Sequence, residues 1–341
     1  MHMLVDGEWR TDAGEATDES GRFVRGESTF RNWVSDDATA EFPVESGRYH
    51  LYVSYACPWA HRTLIARSLL GLEDAIPVSV VDPIREDGGW QFTPEKEGCT
   101  PDPNLGAEYL RELYVAADPN ATCRVTVPVL WDTERETIVN NESREILRMI
   151  STAFRSLASN PMALSPQNRR DSIDEIIDAI YDPINNGVYR AGFAASQAAY
   201  DAAVDELFGA LDRWDDHLAE YRYLDSAGFS EADICMFTTL VRFDHVYHTH
   251  FKCNVKRILD YPNLWPYLRD IYQTPGVSDT VNLTHIRAHY YRTHPDINPT
   301  RIVARGPDLP LTAAHGRDTL PGHPPASTRE GSRSSPSTVD D

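Results

Sequence analysis

Hydrophobic positions alternate in the first half of the chain and recur at helical spacing in the second half. Residues 49–54 combine alternation with aromatic and β-branched side chains, which predicts a strand. Residues 64–69 then show helical spacing and end at Gly71, which predicts a helix with a glycine stop. After a second strand and an insert rich in Gly, Pro and charge, two further strands are predicted; the segments are residues 76–81, 83–122, 124–131 and 136–139.

Beyond residue 165 the apolar side chains recur every three or four residues, as they do on one face of a helix. Ser230 and Asp233 have the spacing of an N-terminal capping box. The chain therefore predicts an α/β domain over residues 46–155 and an all-helical domain over residues 165–306. The helices expected in the second domain cover residues 171–181, 196–221 and 230–243.

Two polar segments flank these domains. Residues 1–45 are polar and contain scattered glycines, and residues 30–33 are their only obvious anchor, which favours an irregular extension wrapped around a domain surface. Residues 307–341 are dominated by Gly, Pro, Ser, Thr and Arg, and we expect a disordered tail there.

The chain is strongly acidic, with 52 aspartates and glutamates against 32 lysines and arginines and a net charge of −20. This charge argues against nucleic acid or an anionic membrane as a partner. Lysine occurs only at Lys96, Lys252 and Lys256, and the acidic residues are spread along the whole chain. The pattern favours the salt-adapted surface of a halophile over an ordinary acidic cytosolic protein, because dissolved ions screen the self-repulsion.

The five cysteines are too few and too scattered for a disulfide scaffold. Residues 1–8 lack the basic region and apolar run of a secretory signal. No apolar stretch approaches the length that spans a bilayer. We therefore expect a soluble, cytoplasmic protein.

Cys57 is the strongest candidate for chemistry, because it lies where the first predicted strand gives way to the first helix. Pro58 fits the first helical position, where no amide hydrogen is needed, and the free amides and the helix dipole at this end stabilise a thiolate. Ala60 stands where a dithiol oxidoreductase has its second cysteine, so Cys57 depends on an external thiol. The alternative is a buried, inert cysteine.

Pro128 interrupts the apolar run at 124–131 and belongs at an edge or a special turn, since proline donates no backbone hydrogen bond. In a thioredoxin-like fold, the proline before the third strand is cis and faces the active cysteine. The β-α-β, β-β-α order of the predicted elements supports that placement.

Together, these features resemble a glutathione transferase, and more specifically the Xi class, the glutathionyl-hydroquinone reductases. The resemblance implies an α/β thioredoxin-like N-terminal domain followed by an all-α C-terminal domain. It extends from about residue 30 to about residue 307, and its matching segments are residues 54–62, 89–92, 126–132, 140–143, 186–194, 242–244, 250–254, 289–291 and 297–300.

The resemblance implies that Cys57 attacks the sulfur of a glutathionyl-hydroquinone and expels the hydroquinone. A second thiol then resolves the mixed disulfide; the cosubstrate is glutathione or γ-glutamylcysteine, and no metal is expected. The family also implies a homodimer and a small-molecule quinol thioether as substrate. Alternatives are a conjugating or thioltransferase-type glutathione transferase and a non-catalytic redox sensor that becomes S-thiolated.

Five positions are expected at the thiol ligand. Free amides and the hydroxyl at Glu142 and Ser143 suit a carboxylate, and the Glu142 side chain suits an ammonium group, although both residues also fit plain helix capping. The resemblance implies that the backbone of Val127 bonds the ligand's cysteinyl amide and that Trp90 and Arg124 contact the same ligand.

Tyrosine hydroxyls are expected to hold and protonate the departing hydroquinone. By resemblance, Tyr189 and Tyr290 fill this role and Tyr247 is a third member of the pocket. Trp59 either walls the pocket or packs against the helical domain. A zinc site is the less favoured interpretation of four nearby residues whose spacing only partly suits a helix: His245, His248, His250 and Cys253.

Overall fold

The computed structural model describes residues 2–13 and 16–325, in which a mixed sheet is followed by a helical region. The strands are Met3–Val5 (β1), Glu8–Arg10 (β2), Tyr49–Val53 (β3), Val78–Val80 (β4), Val129–Asp132 (β5) and Thr137–Asn140 (β6). The α-helices are Pro58–Leu70 (α1), Leu110–Ala117 (α2), Ser143–Ser151 (α3), Arg170–Ile180 (α4), Gly187–Gly192 (α5), Gln197–Glu220 (α6), Glu231–Arg242 (α7), Leu264–Tyr272 (α8) and Leu283–Thr293 (α9). Short 3-10 turns cover Ala153–Leu157, Gln167–Arg169, Ile258–Asp260 and Ser278–Thr280, and π-turns cover Tyr181–Asn185 and Phe243–Tyr247.

The four-stranded sheet has the order β4-β3-β5-β6, with β3 parallel to β4 and the other pairs antiparallel. All five residues of β3 are buried, as expected for a central strand covered on both faces. Helix α1 packs against α3 beside the sheet and also against α7, while α2 packs on β6. The predicted α/β thioredoxin-like domain and all-helical domain are therefore confirmed.

The third predicted strand starts later than its apolar run. The Val127–Pro128 bond is cis, as predicted, and β5 begins only at Val129 rather than at residue 124. Proline cannot donate to the strand ladder, so pairing with β3 starts after it.

The capping box predicted at the start of α7 is present. The Ser230 amide donates to Asp233 at 2.9 Å, and the Tyr267 hydroxyl donates to the same carboxylate at 2.9 Å. Burial raises the pKa of Asp233 to about 6 against these hydrogen bonds. Every residue of α7 is buried, because this helix lies between α1 and the rest of the helical domain.

The N-terminal extension is not irregular throughout. Strands β1 and β2 form an antiparallel hairpin whose turn contains Gly7 at φ +77°, and the Leu4 amide donates to the Cys123 carbonyl at 2.9 Å. Of the predicted anchor, Phe30 packs edge-on against Tyr114 with ring centroids 5.6 Å apart. Trp33 instead lies on the surface, with 44% of its area exposed.

The expectation of disorder from residue 307 onward is wrong for residues 307–325. Arg317 is buried and donates to the carbonyl oxygens of Leu218 and Tyr221, at the C-terminal end of α6, while Leu311 is also buried. Composition was misleading here, because one arginine satisfies helix-end carbonyls that have no partner within the helix. The rest of the predicted tail, residues 326–341, lies outside the described residues.

Helix α6 shows how the acidic excess is arranged on the surface. Exposed aspartates lie four residues apart at Asp201 and Asp205, and again at Asp212 and Asp216. Like charges at this spacing repel each other on a helix. Over residues 2–13 and 16–325, no helix is both long enough and apolar enough to cross a membrane.

We predict that salt stabilises this fold. Raising KCl from about 0.1 M to about 2 M should raise Tm by at least about 3 °C, because screening relieves the repulsion between surface carboxylates. Calorimetry will measure the shift, and KCl is preferred to sulfate, which strengthens apolar burial in any protein. The double variant Asp212→Asn, Asp216→Asn should gain less from salt, and a Tm independent of KCl contradicts the prediction.

Candidate active site

Cys57 lies between β3 and α1 and has the extended backbone of an N-cap residue, φ −76° and ψ 121°, with Pro58 at the first helical position. Its Sγ donates to the Val127 carbonyl oxygen at 3.4 Å, across the turn that holds cis-Pro128. The loop before Cys57 is held from the helical domain, because Arg242 Nε donates to the Ala56 carbonyl at 2.9 Å.

The surroundings of Cys57 favour its protonated form. Burial raises the pKa of the Cys57 thiol, and this effect exceeds the opposing influence of the Ala60 and Trp59 amides and of the Arg242 and Arg25 charges. The direction of this pKa shift runs against the expected thiolate in the unliganded protein, and the reactivity of Cys57 stays a prediction. The amides at the start of α1 do lower the pKa of the sulfur, as predicted. The sequence does not show that the packing around Cys57 raises the pKa by more.

Two cavities meet beside Cys57. One has a volume of about 410 Å³ and is lined largely by aromatic side chains and by Cys57, and we call it the aromatic cavity. The other, of about 310 Å³, is lined by polar groups at the start of α3, and we call it the polar cavity. Both are lined by the same five residues: Arg25, Trp59, Arg124, Thr126 and Val127.

Glu142 and Ser143 line the polar cavity and also cap α3. The Glu142 carboxylate accepts from the Arg144 amide at 3.2 Å and from the Ser28 hydroxyl at 2.9 Å. Arg62 Nη1 donates to the Ser143 hydroxyl at 3.5 Å. The capping interpretation is confirmed, and the same groups still face space in which a ligand fits.

Tyr189 and Tyr290 line the aromatic cavity, and their hydroxyl oxygens lie 2.5 Å apart. Tyr247 bonds to the Tyr290 hydroxyl at 2.9 Å but is fully buried and does not line the cavity. Tyr247 was expected in the wall of the pocket, but it lies behind Tyr290. Burial raises the pKa of all three phenols, so their hydroxyls remain protonated and form one hydrogen-bonded chain.

The two predicted tryptophans have different positions. Trp59 lines both cavities. Its ring centroid also lies 5.7 Å from that of Tyr181, so it packs against the helical domain as well. Trp90, expected at the thiol ligand, lines the aromatic cavity rather than the polar one and stacks on His289 with centroids 5.2 Å apart.

Sequence reasoning missed Arg25, which comes from the N-terminal extension. Its Nε donates to Asn186 at 2.8 Å, and its guanidinium lies 4.7 Å from the Trp59 ring and 4.8 Å from the Tyr189 ring. No motif marks an arginine in an irregular segment. Further cavity residues to which sequence reasoning gave no role are Phe23, Arg85, Phe193, His289 and His294, although Phe193 and His289 lie in segments that match the family.

The less favoured zinc interpretation gains no support. His245 lies 2.9 Å from Arg287, and His250 lies 3.3 Å from His294. Cys253 is buried, and burial raises its pKa. In the part of the chain that the structure describes, no group of three or more His, Cys, Asp or Glu side chains is arranged to hold a metal ion.

Comparison with known proteins agrees with this architecture. Residues 56–153 match the glutathione S-transferase N-terminal domain family, and residues 197–270 match the glutathione S-transferase C-terminal domain family. The first match contains Cys57, cis-Pro128 and Ser143, and the second contains most of the helical domain. The fold and the site thus define a protein of the glutathione transferase class.

Relatives that match over nearly their whole length identify the family within this class. The chain is 51% identical to the glutathionyl-hydroquinone reductase YqjG of Escherichia coli K12, covering 93% of this chain and 99% of the relative. It is 47% identical to the glutathionyl-hydroquinone reductase PcpF of Sphingobium chlorophenolicum, covering 91% and 98%.

Solved structures point to the same family. A Xi-class transferase from Natrialba magadii has 65% identity and a TM-score of 0.90, covering 95% of this chain and 98% of that one. The glutathione-bound structure of E. coli YqjG has 49% identity and a TM-score of 0.85, covering 93% and 99%. The chain therefore belongs to the glutathione S-transferase superfamily, in its family of Xi-class transferases and glutathionyl-hydroquinone reductases.

We predict that Cys57 reacts slowly with iodoacetamide at neutral pH and that its rate rises only above the ordinary titration range of a thiol. The reason is the raised pKa of Cys57, which leaves little thiolate in the unliganded protein. Mass spectrometry of alkylated protein across pH will measure the rate. The assay uses a Cys99→Ser background, because Cys99 is also partly exposed, with Cys57→Ser as the blank. A rate that reaches its plateau below neutral pH contradicts the prediction.

Proposed function

We propose that this protein is a thiol-dependent reductase that removes a glutathionyl or γ-glutamylcysteinyl group from hydroquinone thioethers. The observation that carries the proposal is the position of Cys57. It lies in the wall of the aromatic cavity and bonds to Val127, which lines both cavities. A thioether that spans the two cavities places its sulfur beside the Cys57 sulfur.

The first step breaks the bond between the substrate sulfur and the ring carbon. The Cys57 sulfur attacks the substrate sulfur, an S–S bond forms, and the bonding pair stays on the ring carbon, which takes up a proton. The proton that Cys57 loses balances the proton that the ring gains. Tyr189 and Tyr290 line the same cavity as Cys57 and supply a hydroxyl chain along which that proton moves.

The second step regenerates the enzyme. A second thiolate attacks the mixed disulfide at the sulfur of the small thiol, Cys57 leaves as thiolate, and the symmetric disulfide of the small thiol departs. The substrate sulfur and the sulfur of the second thiol thus lose one electron each, and the ring carbon gains two. Ala60 leaves Cys57 without an internal resolving partner, which supports the use of an external thiol.

The polar cavity suits the γ-glutamyl end of the small thiol. Glu142 can pair with its ammonium group, and the amides and hydroxyl at Ser143 suit its carboxylate. The backbone of Val127, which lines the polar cavity, bonds the cysteinyl amide in this proposal as an added strand would. Glutathione bound to the E. coli relative supports glutathione as cosubstrate, while these γ-glutamyl contacts serve γ-glutamylcysteine equally.

We also propose a homodimer, paired through the helical domains, in the cytoplasm of a cell with high internal salt. Family resemblance supports the dimer. The net charge of −20 and the presence of only three lysines support a cell with high internal salt.

The prediction that tests the function concerns Cys57. Steady-state reduction of glutathionyl-menadiol in high salt, with glutathione or γ-glutamylcysteine as reductant, should depend wholly on this residue. Cys57→Ser should lower kcat/KM at least about a thousandfold, because it removes the nucleophile. The thiol with the higher kcat/KM identifies the cosubstrate, and Cys99→Ser serves as the matched control.

If neither thiol supports turnover while the fold is intact and Cys57 is reactive, the proposal fails and an S-thiolated redox sensor is favoured. Formation of a thioether from glutathione and an electrophile, retained in Cys57→Ser, favours a conjugating transferase instead.

The tyrosine chain generates a separate prediction. Tyr290→Phe removes the central hydroxyl and should lower kcat about 100-fold with KM little changed, because proton delivery is lost. Tyr247→Phe makes the same chemical change one layer behind the cavity and should cost no more than about tenfold. Equal losses in the two variants would mean that the tyrosines act through packing.

A further inference from the structure

Arg85 lies in the wall of the aromatic cavity with no acidic partner. Its guanidinium lies 5.2 Å from the Trp90 ring, which in turn stacks on His289. The Arg85 side chain forms no ion pair or hydrogen bond within residues 2–13 and 16–325, and its Nε is buried without a partner. The side chain as a whole is half-buried, and a buried guanidinium donor without a partner is costly unless a ligand satisfies it.

The same cavity concentrates positive charge in an acidic protein. Arg25 and Arg124 also line it without forming an ion pair among the described residues. Asp296 is the only carboxylate on the described cavity wall; it is exposed and pairs with none of these arginines. The chain has 52 acidic residues for 32 lysines and arginines, so three arginines without acidic partners in one cavity point to an anionic ligand.

The three histidines that line the cavity, His2, His289 and His294, do not add to this charge, and burial lowers the pKa of His2 as it does those of the other two. Burial, together with the charge of Arg85, lowers the pKa of His289 to about 3. Burial also lowers the pKa of His294 well below its ordinary value. The field of the cavity therefore comes from its arginines.

The three arginines divide between the two cavities. Arg25 and Arg124 line both, so they are available to a carboxylate of the small thiol. Arg85 lines only the aromatic cavity, on the side formed by Trp90, His289 and α9. Of the three arginines, Arg85 is therefore the one best placed to meet the aromatic half of the substrate.

We propose that Arg85 binds an anionic oxygen on the aromatic half of the substrate, so that the site selects quinol thioethers that carry a ring carboxylate or an ionised hydroxyl. This inference rests on the proposed function for its substrate. It assigns Arg85 to binding and orientation, and the bonds made and broken at Cys57 are unchanged.

The first test measures binding without turnover. Gentisate, a hydroquinone carboxylate, and uncharged methylhydroquinone are titrated against the full-length protein, with tryptophan fluorescence as readout because Trp59 and Trp90 wall the cavity. Wild type should bind gentisate at least about tenfold more tightly. Arg85→Met should weaken the binding of gentisate about 10- to 100-fold and the binding of methylhydroquinone by no more than about threefold.

Two variants sharpen this result. Arg85→Lys keeps the charge and should retain part of the preference for gentisate, without the planar fork that binds a carboxylate through two hydrogen bonds. Arg301→Met removes an exposed arginine that pairs with Glu86, next to Arg85 in sequence, and should change neither affinity. Thermal melts establish that each variant is folded.

A halogenated hydroquinone whose hydroxyl ionises near neutral pH separates the two sources of the anion. If Arg85 binds an ionised hydroxyl, the affinity of wild type for the halogenated hydroquinone should rise as pH passes through the pKa of that hydroxyl. Arg85→Met should abolish this rise. A preference confined to gentisate assigns the site to a ring carboxylate. Equal affinity of wild type for charged and uncharged quinols overturns the proposal.

Turnover of the matching glutathionyl adducts completes the test. Arg85→Met should lower kcat/KM for the carboxylated adduct about 10- to 100-fold and spare the methyl adduct. Equal losses for both adducts mean that Arg85 acts through Cys57 or Tyr189, which overturns the proposal. If wild type turns over neither adduct, the proposed function fails, and the binding preference alone still decides the role of Arg85.

Discussion

The buried guanidinium of Arg242 is the interaction on which the site depends. From the end of α7 it donates to the carbonyls of Tyr55 and Ala56, each at 2.9 Å, and its Nη1 lies 3.0 Å from His61 Nδ1. A buried charge destabilises a fold unless its donors are satisfied, so the helical domain and the loop before Cys57 adopt one relative position. That position sets the walls of both cavities around the sulfur.

The two cavities divide the chemistry by polarity. The polar cavity uses the start of α3, where capping groups and free amides suit the ionic end of a peptide-like thiol. The aromatic cavity uses rings from the N-terminal extension and the helical domain, with protonated tyrosine hydroxyls behind them. Beside Val127, burial raises the pKa of Cys57 and so disfavours its thiolate in the unliganded protein.

Sequence reasoning succeeded wherever the signal was local. Alternation and helical spacing located β3 and α7, and the capping box at Ser230 and Asp233 was found from two residues three positions apart. Cys57 and Pro58 showed a helix N-terminus from their order alone. These features depend on neighbours in the chain, and the backbone geometry of a helix or strand fixes how such neighbours meet.

Features decided by contacts between distant segments could not be predicted in this way. Arg25 and Arg85 meet in one cavity although neither belongs to a motif, and Tyr247 lies behind that cavity although the family pattern suggested its wall. Residues 307–325 pack on α6 through Arg317, against their composition. The sequence by itself determined the elements, the place of Cys57 at a helix N-terminus and the excess of acid. Only the tertiary structure decided which charged groups line the cavity and in which direction the pKa of Cys57 shifts, because burial and the electric field depend on every segment that packs around a group.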